Sequence, residues 1–337
     1  MNIVLVHPAG SNWVHGQTDF TPIANRMAPL GLLSMAAWLR ERHHRVQVYD
    51  CLAWDRPRPQ PAVVRDILDR QPDLVGFSAT TSGFLDGYGL AETIKQQHPE
   101  IKTVFGGVHV SAIGAPLLKA FPAIDFLCMG EGEATLAELA DGAPPADITG
   151  LIWRDDGRVV TNPRRPLLPD LDQMPFPAYD LLRGFPRRYH LPLFSYIQRP
   201  GATMVTSRGC PYQCSSCDRS VFKQGYRYNS SAYIYAHLRY LRDRFGIRPL
   251  HYHRREGLFV FASEIKALLA HPELPRELDR ESLLQLFRYW TPLPGRSAFA
   301  GVRELKPGHW ARLDEGGWRE ERWWRFPFRP GAKPALD

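Results

Sequence analysis

The sequence lacks a long apolar run and has few cysteines. No stretch of about 18 consecutive apolar residues occurs, so we expect no membrane-spanning helix. Residues 1–7 are largely apolar, without a basic segment or a cleavage site, and they predict a buried strand and no signal peptide. Three of the five cysteines fall between positions 210 and 217. This grouping favours a metal site in a reducing cytoplasm over a disulfide framework.

What the sequence does contain is enough apolar material for buried cores. Its 337 residues are 44% hydrophobic and 23% charged, which predicts two or three domains. Many of the 30 prolines lie between 161 and 200, and they predict a long irregular connector. The formal net charge of +7 comes with arginine-rich patches, which we interpret as solvated surface. No nucleic-acid partner is expected, because no recognition motif accompanies this charge.

Residues 2–140 alternate short apolar strands with amphipathic helices, and this spacing predicts a doubly wound, Rossmann-like parallel sheet. The predicted strands are 3–6, 45–49, 74–77, 102–105 and 124–128, and the predicted helices include 30–42, 88–97 and 134–139. Ligands of such sheets bind at the carboxyl ends of the strands. Those ends fall at 7–8, 78–82, 106–109 and 130–133.

The following segments carry less regular patterns. A hairpin is predicted over 149–160, with its turn at Asp155-Asp156-Gly157, and the connector fills 161–200. A strand over 202–206 is expected to lead into the cysteine group. A helix capped by Ser230 or Ser231 is expected to run to Phe245. Beyond 250 we predict a strand at 258–261 and a helix at 263–269.

Cys210, Cys214 and Cys217 have C-x3-C-x2-C spacing on one predicted loop. Three thiolates so spaced can hold three irons of a cubane cluster and leave the fourth iron open, as a reactive site requires. The rival interpretation is a zinc knuckle, but the nearest downstream histidine is His237, and we favour the 4Fe-4S cluster. Cys51 and Cys128 stand at predicted strand ends and are interpreted as small buried apolar side chains.

The segment from Thr206 to Phe222 resembles the cysteine loop of radical-SAM enzymes, and the resemblance extends over about residues 1–245. The branch with an N-terminal cobalamin domain matches best, through Pro29-Leu30-Gly31-Leu32, Gly106-Gly107-Val108-His109 and Gly130-Glu131-Gly132-Glu133. The resemblance implies a cobalamin-binding sheet followed by the start of a partial TIM barrel. It also implies three cofactors, a 4Fe-4S cluster, S-adenosylmethionine on the open iron and cobalamin. The family cleaves the sulfonium reductively to a 5′-deoxyadenosyl radical.

By this resemblance the metal ligands are the three cysteines, and the cofactor-binding candidates are Ser78, Thr80, Gly106, Gly107, His109, Gly130, Glu131, Gly132 and Tyr212. It further implies radical methyl transfer or ring chemistry on a small-molecule substrate, with an electron donor such as flavodoxin or ferredoxin. Two features depart from the family. Ser216 stands where an aromatic residue is usual, and the Asp-x-His-x-x-Gly motif for cobalt is absent. His7 and His109 are cobalt candidates by position only.

From about 242 to 324 the chain resembles another family, the glutaminase domain of glutamine-hydrolysing asparagine synthetase. The matching words include 261–268, 305–309 and Trp323-Trp324. They imply a partial Ntn-hydrolase (class II glutamine amidotransferase) fragment. The family's nucleophile is a cysteine directly after the initiator methionine, where this chain has Asn2, so no glutamine hydrolysis is expected. Glu264 and Lys266 are interpreted as helix-start and surface residues.

These patterns predict four parts, 1–145, 146–200, 201–247 and 248–337. Only one strand–helix unit of the radical-SAM barrel is predicted, and one unit does not form a barrel. We therefore expect a radical-SAM protein that is inactive as it stands. The first part is expected to fold well and the remainder to pack loosely. The alternatives are an amidotransferase-like fragment and a non-catalytic corrinoid or iron–sulfur module. Residues 242–250 fit both families, so either a gene fusion or a join of two reading frames made this chimera. A long sequencing read across codons 235–255 distinguishes them.

Overall fold

The computed structural model describes residues 1–10, 26–54, 58–189, 202–212, 214, 217–222, 225–245, 250–262, 265–289, 292–293, 295–306, 308–314 and 316–322. The predicted features at Glu264 and Trp323-Trp324, and the end of the connector at 190–200, lie outside these residues. The chain divides into two compact units, Met1–Ile234 and Tyr235–Asp337. None of the helices in the described ranges has the length and apolar character needed to cross a membrane.

A seven-stranded sheet in the order β2-β1-β3-β4-β5-β6-β7 organises the first unit. Five strands are parallel, namely β1 (Asn2–His7), β2 (Arg45–Asp50), β3 (Leu74–Ser78), β4 (Lys102–Gly106) and β5 (Phe126–Cys128). The predicted hairpin forms β6 (Leu151–Asp155) and β7 (Arg158–Thr161), and it continues the sheet antiparallel to β5. The predicted large parallel sheet is therefore confirmed, with an antiparallel hairpin at one edge.

Six helices accompany this sheet, namely α1 (Leu30–Glu41), α2 (Gln60–Leu68), α3 (Phe84–Gln97), α4 (Val108–Ile113), α5 (Ala115–Ala120) and α6 (Glu133–Ala140). Successive strand residues point to opposite faces. Val4 and Val6 therefore share one face, where they join a core with Val63, Ile67 and Ile94 of α2 and α3. Ile3 and Leu5 point the other way and are equally buried, and α1 contacts both β1 and α6. Helices thus cover both faces.

The segment after the connector differs from the prediction. The predicted strand at 202–206 is wrong, because pairing starts only at β8 (Ser207–Arg208), which runs antiparallel to β9 (Arg227–Tyr228). The ladder is two residues long because Gly209 turns the chain with a φ of +85°. Helix α7 (Ser231–Phe245) begins as predicted. Ser230 is its cap, since its Oγ accepts a hydrogen bond from the Tyr233 N–H at 3.1 Å.

The second unit contains small antiparallel sheets. Strands β10 (Leu250–Arg255), β11 (Leu258–Ala262) and β12 (Val302–Leu305) form a sheet in the order β11-β10-β12. Strands β13 (His309–Asp314) and β14 (Gly317–Arg322) form a hairpin. Helices α8 (Ile265–Leu268) and α9 (Arg280–Tyr289) complete the described part of the unit. The buried core cluster described there comprises Leu268, Leu274 and Val302.

Candidate functional site

A cavity of about 520 Å³ lies at the carboxyl ends of β3, β4 and β5 in the first unit. The starts of α1 and α6 and the segment after β8 complete its wall. Six of the nine predicted cofactor-binding residues line it, namely Ser78, Gly106, Gly107, Gly130, Glu131 and Gly132. The fold therefore brings together strand ends that lie far apart in sequence, as the crevice of an open α/β sheet does.

Glycines follow β4 and β5 partly because the backbone there has positive φ angles. Gly107 has a φ of +100°, and a Cβ there would lie 2.9 Å from the carbonyl oxygen of Ala79. Gly130 has a φ of +75° and faces the Arg164 guanidinium. Both conformations favour glycine for steric reasons alone. These glycines contribute bare backbone to a wall that also includes side chains such as Ser78, Cys128 and Glu131.

The cysteine loop, residues 209–226, meets this cavity from the other side. Cys210 and Cys217 line the cavity, and Cys214 lies between them with its carbonyl accepting the Cys217 N–H at 3.2 Å. All three thiols are free and exposed. Cys210, Cys214 and Cys217 all lie within the described residues, and among these residues the structure groups neither the three thiols nor any other three His, Cys, Asp or Glu side chains as a metal site. The donor chemistry and the shared cavity therefore carry the case for a metal.

The other two cysteines occupy a different environment. Cys51 and Cys128 are buried, as predicted. Burial raises the pKa of the Cys128 thiol to about 12, and burial also raises the pKa of Cys51. Because the thiolate is the form that binds metal and reacts, these two thiols are poor ligands where they stand.

A buried ionic network joins the base of the cysteine loop to the turn between β5 and α6. The Arg208 guanidinium donates to Glu131 at 2.9 Å and to Glu133 at 2.7 Å. Arg227 donates to both oxygens of Glu131, at 2.9 and 3.0 Å. Glu131 Oε2, which accepts the 2.9 Å hydrogen bond from Arg227, also accepts a hydrogen bond from the Leu168 N–H at 2.9 Å. The Glu131 side chain is 7% exposed, so this is a desolvated network and not a surface ion pair.

Hydrogen bonds within this network shift the pKa of Glu131 and of Arg208 in favour of their charged forms. Burial pushes the pKa of Glu131 upward, but hydrogen bonds from Arg227 and Arg208 outweigh it and hold the pKa below its usual range. Burial alone would lower the pKa of Arg208, but Glu133 and Glu131 raise it. The cavity therefore has an ionised polar edge beside the cysteines.

Residues 220 and 221, in the second half of the cysteine loop, are also hydrogen-bonded to the first unit's sheet edge and connector. The Arg164 guanidinium donates to the carbonyl oxygens of Ser220 and Val221. The Ser220 hydroxyl donates to the Val108 carbonyl oxygen at 3.3 Å, at the end of β4 where α4 begins. From the sequence, Arg227 was assigned no role, and Arg164 was interpreted as part of a solvated arginine patch, whereas the structure places it half-buried against the Ser220 and Val221 carbonyls. The sequence feature that could have predicted an ionic network is the pair Glu131 and Glu133 after a predicted strand, because buried carboxylates require cationic partners.

Three predicted cofactor residues are not among the described residues that line the cavity. Thr80 Oγ1 lies 3.0 Å from Ser82 Oγ, and Tyr212 is 72% exposed. His109 Nδ1 lies 3.1 Å from Thr81 Oγ1, and its ring packs against Phe84. Burial lowers the pKa of His109, which favours the neutral ring. Their assignment to cofactor binding stays a prediction.

The second cobalt candidate, His7, belongs to another cluster. Its Nδ1 lies 3.0 Å from the buried Asp50 carboxylate, which also accepts the Tyr189 hydroxyl at 2.9 Å. This cluster joins the ends of β1 and β2 to the connector. It gives His7 a structural role, and any role at cobalt stays a prediction.

In comparisons with known proteins, the B12-binding model and the glutamine amidotransferase model match separate segments of the chain. The family model "B12 binding domain" matches residues 17–140, and the model "Glutamine amidotransferase domain" matches residues 234–324. Both resemblances are confirmed. The B12-binding segment holds β3, β4 and β5, whose ends form the cavity, whereas the amidotransferase segment includes β10 to β14.

Individual relatives repeat this division. An uncharacterized methyltransferase of Pyrococcus horikoshii is 34% identical over 231 residues, which are 66% of this chain and 48% of the relative. Asparagine synthetase [glutamine-hydrolyzing] 3 of Bacillus subtilis is 37% identical over 84 residues, 25% of this chain and 14% of the relative. The chain thus spans about half of the first relative and a smaller part of the second.

A solved structure shows the same fold. The cobalamin-dependent S-adenosylmethionine radical enzyme OxsB, solved with aqua-cobalamin and S-adenosylmethionine bound, superposes with a TM-score of 0.57 at 20% identity. The match covers 74% of this chain and 33% of that one. At this identity the likeness concerns the fold alone. The matches together indicate a B12-binding domain in the first unit and a segment similar to a glutamine amidotransferase domain after it.

Proposed function

We propose that the first unit binds cobalamin at the carboxyl edge of its sheet and a 4Fe-4S cluster on Cys210, Cys214 and Cys217. The observation that carries this proposal is the shared cavity. Bare glycine strand ends form one wall, and Cys210 and Cys217 lie on the opposing loop. Three free thiols and a wall that includes bare glycine backbone suit a metal cluster beside a large flat ligand.

The chain's own residues have distinct parts in this proposal. The three cysteines would ligate three irons and leave the fourth for the amino and carboxylate groups of S-adenosylmethionine. Gly106, Gly107, Gly130 and Gly132 would let the corrin approach the backbone, with Ser78 offering a hydroxyl at the same edge. When bound, the cluster supplies the electron that cleaves a carbon–sulfur bond of S-adenosylmethionine, and cobalamin carries the methyl group. Arg164 and Arg208 would hold the two ends of the cysteine loop, through the Ser220 carbonyl oxygen and the Glu131 carboxylate.

We infer that the parent activity is radical methyl transfer or ring chemistry on a small molecule, with an electron donor such as flavodoxin or ferredoxin. The chain as given is expected to hold the cluster without completing the cleavage of S-adenosylmethionine. The reason is the change after α7, where the described strands form antiparallel sheets and do not add parallel strands around the cavity. A radical-SAM barrel would need such strands to enclose the cofactor.

The test is anaerobic reconstitution of the full chain with iron and sulfide, followed by metal and corrinoid analysis. We expect about four irons per wild-type chain and a brown protein. Cys214→Ala should lose most of this iron, because two remaining thiolates hold a cubane poorly. Cys51→Ala is the matched control, since it removes a buried thiol far from the loop in sequence, and it should retain the iron.

The same analysis distinguishes the alternatives. Purified wild-type protein that carries zinc, or no metal after reconstitution, would contradict the cluster. Iron without bound corrinoid would favour a plain iron–sulfur module.

The match of residues 234–324 to an amidotransferase domain raises a second function, glutamine hydrolysis. We expect none. The resemblance assigns the nucleophile to the position of Asn2, which lies in β1 of the first unit. Its side-chain amide donates to the carbonyls of Arg70 and Gln71, so it is a structural residue there. Release of glutamate from glutamine by the purified chain would contradict this expectation.

A further inference from the structure

We propose that Glu131 is a positioning residue whose carboxylate fixes the base of the cysteine loop to the edge of the sheet. The purpose of this contact rests on the proposed function, because a fixed loop matters only if its thiols present a cluster to the cavity. The contact itself is a property of the chain alone. It can therefore be tested with or without bound iron.

The first step of the argument concerns the β8–β9 pair, which closes the cysteine loop. Arg208 and Arg227 are direct partners in its register, so two guanidinium groups stand opposite each other on a ladder of two residues. Like charges placed directly opposite destabilise a strand pair. Both arginine side chains are also largely buried, at 14% and 13% exposure. The pair therefore needs a buried anion to form.

Glu131 supplies that anion and uses both of its oxygens. One oxygen accepts from Arg208 and Arg227, and the other accepts from Arg227 and from the Leu168 N–H. The carboxylate therefore bridges the two strands and ties them to the turn between β5 and α6. Breaking such a buried pair by neutralising one partner leaves an uncompensated charge.

Glu133 lies beside this bridge and bonds only one of the two arginines. Its Oε1 accepts one hydrogen bond from Arg208, and no described contact joins it to Arg227. A glutamine at 133 can keep that single acceptor. A glutamine at 131 cannot keep both, because its amide nitrogen replaces an oxygen that accepts two hydrogen bonds. The two glutamates thus provide a matched pair of substitutions.

The position of the bridge explains how it acts on the thiols. Arg208 is separated from Cys210 only by Gly209, and a Cβ on Gly209 would overlap the Gly225 carbonyl oxygen. The chain is therefore held tightly between the bridge and the first cysteine. If the β8–β9 pair opens, Cys210 loses its fixed position at the cavity.

The test compares Glu131→Gln with Glu133→Gln in the full chain by amide hydrogen exchange without iron. In Glu131→Gln, the amides of residues 207–208 and 227–229 should exchange at least about tenfold faster, since hydrogen bonds to charged groups are lost. In Glu133→Gln the increase should be smaller, because an acceptor for Arg208 survives there and the Glu131 contacts to both strands remain. Amides of β1 and α1 should be unaffected in both variants.

A second readout follows reconstitution. Glu131→Gln should keep its iron, because the cysteines are intact, but the electron paramagnetic resonance spectrum of the reduced cluster should broaden and respond less to S-adenosylmethionine. Glu133→Gln should match the wild type. A loss of fold stability alone would not produce a spectral change at full iron content.

Equal exchange in the two variants, or wild-type exchange in Glu131→Gln, would overturn the proposal. If Glu131→Gln does not fold, Arg227→Lys decides, because lysine keeps the charge but cannot donate to both carboxylate oxygens through a fork. It should show the same faster exchange. Wild-type protein that takes up no iron would refute the proposed function, while the exchange comparison would still decide the role of Glu131.

Discussion

At the residue scale, one glycine sets the path of the chain into the cysteine loop. Gly209 has a φ of +85°, and its Cα faces the Gly225 carbonyl so closely that any side chain would overlap it. Gly142, which follows α6, has nearly the same φ of +83° but open space around it. The two positions separate the cost of a left-handed backbone from the cost of a steric clash.

Gly209→Ala and Gly142→Ala should therefore differ in their effects. Gly142→Ala should cost about 1 kcal/mol of unfolding free energy, the price of the left-handed conformation, and should leave iron uptake unchanged. Gly209→Ala adds the clash with Gly225, so the loop must move and reconstituted iron should fall well below the wild-type content. Denaturant unfolding and iron analysis of both variants measure this. Equal iron in the two variants would show that the loop tolerates a side chain at 209.

The residues of the candidate site differ in how well the sequence predicted them. The glycines after apolar strands and the spacing of the cysteines are local sequence patterns. The structure places most of these residues around one cavity. The Glu131–Arg208 pair spans 77 positions, and nothing in the local sequence indicates which arginine a buried glutamate will meet. Thr80 and His109 were named from their position after strands, and the structure places them beside Ser82 and Thr81 and not among the described lining residues.

At the scale of elements, a group of aromatic rings supports the strand ends that form the cavity. Phe77 of β3 and Phe105 of β4 stack at 4.6 Å between ring centroids. Phe84 of α3 packs edge-on against Phe105 at 5.7 Å and against Phe121 at 5.0 Å. Phe105 is fully buried, and Gly106 and Gly107 follow it directly. The packing of this ring therefore fixes where the bare backbone of the site lies.

Phe105→Ala should lower the unfolding free energy by about 3 to 5 kcal/mol, because it removes a buried ring and leaves a cavity. Leu85→Ala is the matched control on the same helix as Phe84. Leu85 is 66% exposed, so the change should stay within about 0.5 kcal/mol. Urea unfolding followed by circular dichroism measures both. A loss below about 1 kcal/mol for Phe105→Ala would show that the core repacks around the deletion.

The elements also show where sequence patterns were sufficient. Short apolar runs predicted four of the parallel strands, because burial on both faces leaves a continuous apolar signature, and apolar–polar alternation predicted the strand at 45–49. Helix α2 was not predicted, since Pro59 and Pro61 mark a break although proline is tolerated in a first helical turn. The hairpin was predicted, but its pairing with β5 is a long-range contact. The strand at 202–206 was wrong because only Ser207 and Arg208 find a partner.

At the scale of the whole molecule, the core clusters formed by the described residues of the two units differ greatly in size. The first unit buries a continuous cluster from β1, β3 and β4 to α2 and α3, including Val4, Val75, Phe105 and Ile94. The described core cluster of the second unit comprises Leu268, Leu274 and Val302, with partly buried side chains around it. On the surface of α9, Leu284 and Phe287 are exposed at 66% and 85%. Because stability depends on apolar area removed from water, the second unit is expected to be the weaker one.

Native-state hydrogen exchange in low urea should therefore show two levels of protection. Amides of β1, β3 and β4 should exchange through the largest opening, and amides of β10 to β12 should exchange at a lower free energy. Leu268→Ala, which removes a side chain only 2% exposed, should speed exchange in β10 to β12 and leave β1 unchanged. Phe105→Ala should have the opposite effect. If Leu268→Ala accelerates exchange equally in β1 and β10, the two units unfold together, and the second family's segment has become part of one cooperative fold.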